Sequence, residues 1–352
     1  MRWDAQRVDA GAVEDAAGDG ALLPVGAVTR TFDTPEFRGM TFFEVHARSA
    51  LNSVPAASAV PFRWTVNPYR GCSHACRYCF ARKTHEYLEL DSGADFDSKV
   101  VVKVNVADVL ARELRRPSWR GEHVALGTNT DPYQRVEGRY GLTRQVLERL
   151  RDARNPFSIL TKSALVLRDL DVLRSAAEVT DVSVALSVGF VDRELWRTVE
   201  PGTPPPSRRL EAVAALREAG IPCGVLMAPV LPWLSDSPAQ LGATVAAVAE
   251  AGADYVTPLA LHLRPGAREW YLRWLAEAHP DLVPRYREMY AAGSYAPRDY
   301  TARINAQVRE LAARHGVGRR VTTTWRTGHE RAARHERAAL PRTPPAQQLP
   351  LL

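Results

Sequence analysis

Apolar and polar positions along this chain keep switching between a two-residue beat and a beat of three to four residues, the signatures of strand and helix, about once every 30 residues. Phe62-Arg-Trp-Thr-Val66 reads as a strand, and Lys99-Val-Val-Val-Lys-Val104 as another. A helix over 107–115 follows, with Asn105 near its start. His123-Val-Ala-Leu-Gly-Thr128 is predicted as a strand, 143–154 as a helix with Leu142, Val146, Leu147 and Leu150 on one stripe, and Phe157-Ser-Ile-Leu-Thr161 as a strand. A helix over 169–177 and the alternating strand 181–187 continue the series. In the second half, helix 207–219 ends at Gly220 before strand 222–228, and helix 239–251 ends at Gly252 before strand 254–259. Each glycine stands where a helix cap needs positive φ.

Strands alternating with helices argue a parallel sheet with right-handed crossovers. Six or so such units give an α/β fold, a partial (β/α)6 TIM-like barrel with a C-terminal helical extension. The alternation stops near Arg264, after which 269–278, 282–292 and 300–315 read as amphipathic helices carrying Trp270, Tyr271, Trp274, Tyr286 and Tyr290. Packing against the barrel's open side is the first role for these aromatics, and a substrate platform the second. The expected divisions are a leader or strap over 1–60, a core barrel over 61–265, the helical extension over 266–327, and a basic, proline-containing disordered tail over 328–352.

The 352 residues, 45% of them hydrophobic, suffice for one large α/β domain or two smaller ones. Neither a signal peptide nor an apolar run long enough for a bilayer is evident, which points to a cytoplasmic protein and no membrane. The formal charge of +6 would conventionally suggest an anionic partner. Only Lys83, Lys99, Lys103 and Lys162 are lysines, however, so the arginine excess reads as codon composition as much as a binding face. A nucleic-acid partner stays open on charge alone.

Chemistry concentrates in Asn67-Pro-Tyr-Arg-Gly-Cys72-Ser-His-Ala-Cys76-Arg-Tyr-Cys79-Phe-Ala-Arg82, where three of the four cysteines fall within eight residues. A disulfide across so short a loop would be strained, and nothing suggests export. Zinc is the serious alternative, with His74 as a fourth ligand, although such sites usually join two separated ligand pairs. Three thiolates on one tight loop suit a 4Fe-4S cluster with one iron left open to a ligand.

The Cys-x3-Cys-x2-Cys spacing, with Tyr78 before the last cysteine and Gly71 before the first, resembles the signature of the radical S-adenosylmethionine (SAM) superfamily. With Asn129-Thr-Asp-Pro-Tyr-Gln134 and Thr161-Lys-Ser163, it is similar to the branch that contains spore photoproduct lyase, over roughly residues 60–265. The resemblance implies an enzyme in which Cys72, Cys76 and Cys79 hold the cluster and SAM chelates the open iron. Reductive cleavage of SAM would then release a 5'-deoxyadenosyl radical for hydrogen abstraction from an unknown substrate, nucleic-acid related or otherwise. It also implies a low-potential electron donor such as flavodoxin or ferredoxin.

In parallel barrels ligands lie at the C-terminal ends of the strands, so the loops there supply the candidate contacts. Lys162 suits the methionyl carboxylate, Thr130 and Ser187 the amino group or ribose, and Tyr78 with the backbone near Ala228 the adenine. Arg70 and Arg77 flank the cysteines as charge-offsetting groups, and Glu200 with Arg208 and Arg209 reads as a brace for a loop. Spore photoproduct lyase returns a hydrogen atom from a cysteine in the loop after the second core strand, whereas Gly127-Thr-Asn-Thr-Asp131 has no thiol. Cys223, at the start of a strand, reads as a small buried hydrophobe. The rival class is a non-catalytic zinc or iron-sulfur protein that binds nucleic acid.

Overall fold

The computed structural model describes residues 27–318 apart from 56, 57 and 59; the start of the expected leader and the basic tail over 328–352 lie outside the described residues. Eleven strands run in chain order: β1 Val28–Arg30, β2 Thr41–Val45, β3 Leu51–Ser53, β4 Trp64–Val66, β5 Tyr69–Arg70, β6 Lys99–Lys103, β7 Val124–Leu126, β8 Phe157–Thr161, β9 Val182–Ser187, β10 Cys223–Val230 and β11 Val256–Ala260. A seven-stranded sheet has the order β11-β10-β9-β8-β7-β4-β3. Its members β4, β7, β8, β9, β10 and β11 are mutually parallel, and β3 adds antiparallel to β4 at the edge. These six parallel strands are the expected partial barrel, and Val66, Leu126, Ile159, Val184, Val225 and Met227 fill one continuous core.

The α-helices among the described residues are α1 Ala94–Ser98, α2 Val106–Leu114, α3 Glu137–Tyr140, α4 Leu142–Asp152, α5 Leu170–Val179, α6 Arg193–Val199, α7 Pro206–Glu218, α8 Pro238–Glu250, α9 Ala267–Ala278, α10 Val283–Met289 and α11 Arg298–Arg314, and those on the sheet's outer face are amphipathic where the sequence pattern requires it. α4, Leu142–Asp152, buries Leu142, Val146, Leu147 and Leu150 and leaves its arginines outward. α7, Pro206–Glu218, and α8, Pro238–Glu250, both start with proline in the first turn, and in α8 the Ser237 side chain accepts from the Gln240 N–H. Gly220 and Gly252 stand just past their ends with φ of +78° and +70°, the conformation that a side chain would oppose.

Two assignments change. Lys99–Lys103 is a strand but not a barrel strand: β6 pairs in parallel with β2 and antiparallel with β5, in a second sheet of order β1-β2-β6-β5. Val100, Val101 and Val102 are all buried, because this strand is covered on both faces, and periodicity alone does not say by which sheet. For the same reason residues 28–53 are built into both sheets through β1, β2 and β3 rather than lying across the outside as a strap.

Beyond β11 the chain forms α9, Ala267–Ala278, α10, Val283–Met289, and α11, Arg298–Arg314. Tyr271, Trp274, Tyr286 and Tyr290 join Leu231, Leu261 and Leu263 in a buried cluster, with the Tyr286 hydroxyl donating to Pro232 O at 2.7 Å and Tyr290 to Leu261 O at 2.7 Å. These aromatics are packing groups. α11 lies against α8 and β11, and Gly318 makes an isolated parallel bridge to Tyr255. Among the described residues no helix is long and apolar enough to cross a membrane.

Candidate functional site

Five of the six parallel strands, β7 to β11, bring residues at or beyond their C-terminal ends to one cavity of about 200 Å³. Gly127–Asp131 follow β7, Thr161 and Lys162 end β8, Ser187 ends β9, Ala228 and Pro229 lie late in β10, and Leu261 and His262 follow β11. The loop after β5 adds Cys72, His74, Cys76, Tyr78, Cys79 and Phe80. All three candidate cysteines and all five candidate ligand contacts, Tyr78, Thr130, Lys162, Ser187 and Ala228, therefore line the same space. Cys223 starts β10 at the other end of the barrel, where burial pushes its thiol up to about 12.

The cysteine loop is held from three directions. Gln134, fully buried, accepts from the Ser73 N–H at 2.9 Å and donates to Gly71 O at 3.0 Å, and the Thr130 hydroxyl donates to Gly71 O at 2.7 Å. From below, Arg77 N–H donates to Val199 O at 3.0 Å and Gly202 N–H to His74 O at 3.1 Å. From the side, the Arg82 guanidinium, completely buried, donates to Cys76 O at 2.9 Å and Gly93 O at 2.7 Å while pairing with Asp97 at 2.7 Å. Arg82, rather than the expected Arg70 or Arg77, is the guanidinium built into the loop.

All three thiols are free. Burial pushes each up; Lys162 offsets part of this at Cys76 and Arg82 part of it at Cys79. A thiolate in such surroundings needs a positive partner, which a bound metal supplies directly. Among the described residues no three His, Cys, Asp or Glu side chains already stand grouped as a metal-binding set. The three thiols line one cavity, close enough that the charge of one would raise the next. The donor chemistry fits iron and sulfide, three soft sulfurs on one loop, with the Nδ1 of His74 taken by Asp131.

His74 Nδ1 lies 3.4 Å from Asp131 Oδ2 in a buried pair. Asp131 also accepts from Thr161 Oγ1 at 2.6 Å and from the Lys162 N–H at 2.7 Å. Burial works to raise this carboxyl, but His74 and those donors outweigh it and hold Asp131 down at about 2. The Lys162 ammonium does not join Asp131. It donates to Ser187 Oγ at 2.7 Å and stands 5.6 Å above the Tyr78 ring. The Ser187 hydroxyl donates in turn to Ala228 O at 2.9 Å. With the donors of Thr130 and Ser187 both spent inside the protein, each hydroxyl offers a ligand only an acceptor lone pair.

Behind Tyr78 sits a fully buried ion pair. Glu200 accepts from Arg209 and from the Tyr78 hydroxyl, and Arg209 donates further to Ser187 O at 3.0 Å, Pro204 O at 2.9 Å and Thr203 Oγ1 at 2.5 Å. The loop brace read from Glu200 and Arg209 thus extends to the cysteine loop and to the end of β9. Arg208 takes no part and pairs with Glu211 on the surface. Sequence reasoning also passed over Gln134, Arg82 and His262. Applying the strand-end rule one strand further would have reached His262; nothing local in the sequence marks Gln134 or Arg82 as buried.

A sequence profile described as the Radical SAM superfamily matches residues 66–240. An uncharacterised protein of Mycobacterium tuberculosis is 53% identical over 319 residues, 90% of this chain and 93% of that protein. An uncharacterised protein of Methanocaldococcus jannaschii is 30% identical over 201 residues, 57% of this chain and 72% of the other. Among solved structures, a spore photoproduct lyase variant superimposes with a TM-score of 0.61 over 80% of this chain and 82% of that one, at 18% identity. Another variant of that enzyme, with bound AdoMet and dinucleoside spore photoproduct, gives a TM-score of 0.60 over 80% and 82% at 18% identity. At such identities the likeness is one of fold.

Proposed function

The chain belongs to the radical SAM superfamily, and on that premise we propose that Cys72, Cys76 and Cys79 carry a 4Fe-4S cluster, that SAM occupies the cavity beside them, and that an unidentified substrate gives up a hydrogen atom there. One observation supports this most: three thiols and the groups Tyr78, Thr130, Lys162, Ser187 and Ala228, from five separate parts of the chain, line a single cavity at the C-terminal ends of the strands. When bound, the cluster supplies the electron that splits SAM into methionine and a 5'-deoxyadenosyl radical.

The chain's own residues bind and orient. Lys162 offers an ammonium to the methionyl carboxylate, and the spare lone pairs of Thr130 and Ser187 suit the N–H groups of the α-ammonium. Tyr78 and the backbone at Ala228 form a wall for adenine, and Leu226 and Leu261 add apolar lining beside it. His74, engaged with Asp131, is not among the ligands in this reading.

The electron donor in this proposal is a low-potential carrier of the flavodoxin or ferredoxin kind, and an oxygen-sensitive cluster with such a carrier calls for the cytoplasm. The substrate stays unidentified in this proposal, with a nucleic-acid component among its candidates. No thiol stands among Gly127–Asp131, so dimer cleavage with hydrogen return from that loop is not part of the proposal.

Anaerobic reconstitution with iron and sulfide, followed by dithionite and SAM, tests the reading through 5'-deoxyadenosine and methionine. Cys76→Ala is expected to lose both the brown chromophore and cleavage; cleavage that survives in this variant refutes the site.

A further inference from the structure

Lys162 and Glu200 are opposite charges in one small region, yet they are not partners. The Lys162 ammonium donates to Ser187 Oγ at 2.7 Å, and among the described residues no carboxylate lies within ion-pair distance of it. The Tyr78 side chain touches both: its ring lies 5.6 Å below the ammonium and its hydroxyl donates to Glu200. The Lys162 charge is near enough to help hold the Glu200 carboxyl low, second to the charge of Arg209 among the favourable influences. A buried carboxylate stripped of its partners is costly, and the Lys162 ammonium is a cation near enough to be felt by it.

Arg209 already pairs with this carboxylate. Its guanidinium takes Glu200 and Thr203 through Nη2, Ser187 O at 3.0 Å through Nη1 and Pro204 O at 2.9 Å through Nε, a set of donations that fixes it beside the carboxylate. We infer that Arg209 is a positioning residue for an anionic ligand group: by occupying Glu200 together with the Tyr78 hydroxyl, it keeps the Lys162 ammonium available to a ligand carboxylate instead of to the protein's own. This rests on the reading of the cavity as a SAM site. It adds that carboxylate recognition is set by a competition 47 residues away in sequence from Lys162, which is the separation from Arg209.

The competition has a signature that a simple structural role lacks. Reconstituted protein is dialysed to equilibrium against SAM and, separately, methylthioadenosine, which shares the adenosine but has no carboxylate. The parent should prefer SAM. Arg209→Gln should bind SAM about tenfold more weakly, the scale of one charge-assisted contact, with little change for methylthioadenosine. Removing the competitor as well, in Arg209→Gln with Glu200→Gln, should restore the preference to within about threefold of the parent, the precision at which one weak polar contact is read. Arg209→Lys keeps the cation and should keep the preference.

Where Arg209→Gln does not fold, Tyr78→Phe uncovers Glu200 from its other side and should give the same selective loss, again reversed by Glu200→Gln. If the double variant is as poor as the single one, or if both ligands weaken equally, Arg209 acts through shape and the inference fails. A parent that shows no preference for SAM refutes instead the reading of the site.

Discussion

Gly202 rests on the backbone of Ser73: a Cβ at Gly202 would stand 2.2 Å from the Ser73 carbonyl oxygen, and the Gly202 N–H already donates to His74 O at 3.1 Å. The loop after α6, Arg193–Val199, is therefore the floor under the cysteines, and it can fill that role only without a side chain at this position. Gly202→Ala should lift the cysteine loop, at a cost of roughly 1–3 kcal/mol typical of overpacking against backbone. Thermal unfolding and iron content per chain check this; an unchanged iron content with unchanged melting removes the floor from the account.

Gln134 is the clamp on the opposite side. Its amide accepts from Ser73 N–H and donates to Gly71 O and to Thr130 Oγ1, all within 3.0 Å. Gln134→Leu keeps much of the volume but leaves the Ser73 N–H without its buried acceptor, a loss of about 1–3 kcal/mol for an unsatisfied buried group. Faster hydrogen exchange in peptides covering 71–76, with the exchange of β10 unchanged, is the expected pattern.

Much of this arrangement could be read before the structure, because its determinants are local. The stripe Leu142, Val146, Leu147 and Leu150, the cap glycines Gly220 and Gly252, and the strands ending at Thr161 and Ser187 each carry their signal within one element. What escaped depends on partners distant in sequence. The three buried valines of β6 fit either sheet equally well, and only pairing with β2 decides. Gln134 lies 61 residues from Ser73, and the Tyr78 hydroxyl reaches Glu200 across 122 residues. Arg82 reads as one more surface arginine until it is seen buried between Asp97, Trp270 and Phe96.

The His74–Asp131 contact makes the loop sensitive to acid. Asp131 sits at about 2, below its ordinary 3.8, because His74, Thr161 and the Lys162 N–H favour the anion more than burial opposes it. A carboxyl lowered on folding contributes stability above its unfolded value, and loses it as pH falls from there through the folded value. The contribution, roughly 2 kcal/mol for a shift of this size, should be intact above about pH 4 and disappear between about pH 4 and pH 2. Asp131→Asn should therefore lower stability at neutral pH and flatten the acid limb in that window. Denaturant unfolding at a series of pH values measures both, and an acid limb identical in the variant would assign the sensitivity to other groups.

Zinc and iron-sulfur readings of the cysteine loop divide on His74. As a fourth ligand it would be indispensable, since a closed tetrahedral site that loses one of four donors usually loses its metal. Its Nδ1 is taken by Asp131 at 3.4 Å, a carboxylate that Thr161 and the Lys162 N–H also occupy, and in the three-thiolate reading the ring braces the loop and holds no metal. His74→Asn should thus retain iron and sulfide close to the parent's content after anaerobic reconstitution, with a modest loss of stability of about 1 kcal/mol from the weakened Asp131 contact. Cys72→Ala, Cys76→Ala and Cys79→Ala should each lose most of the iron. Elemental analysis after purification with and without added metal separates the cases: retention of zinc in the parent, with its loss in His74→Asn, would replace the cluster by a four-ligand zinc site and with it the open coordination position on which radical chemistry depends.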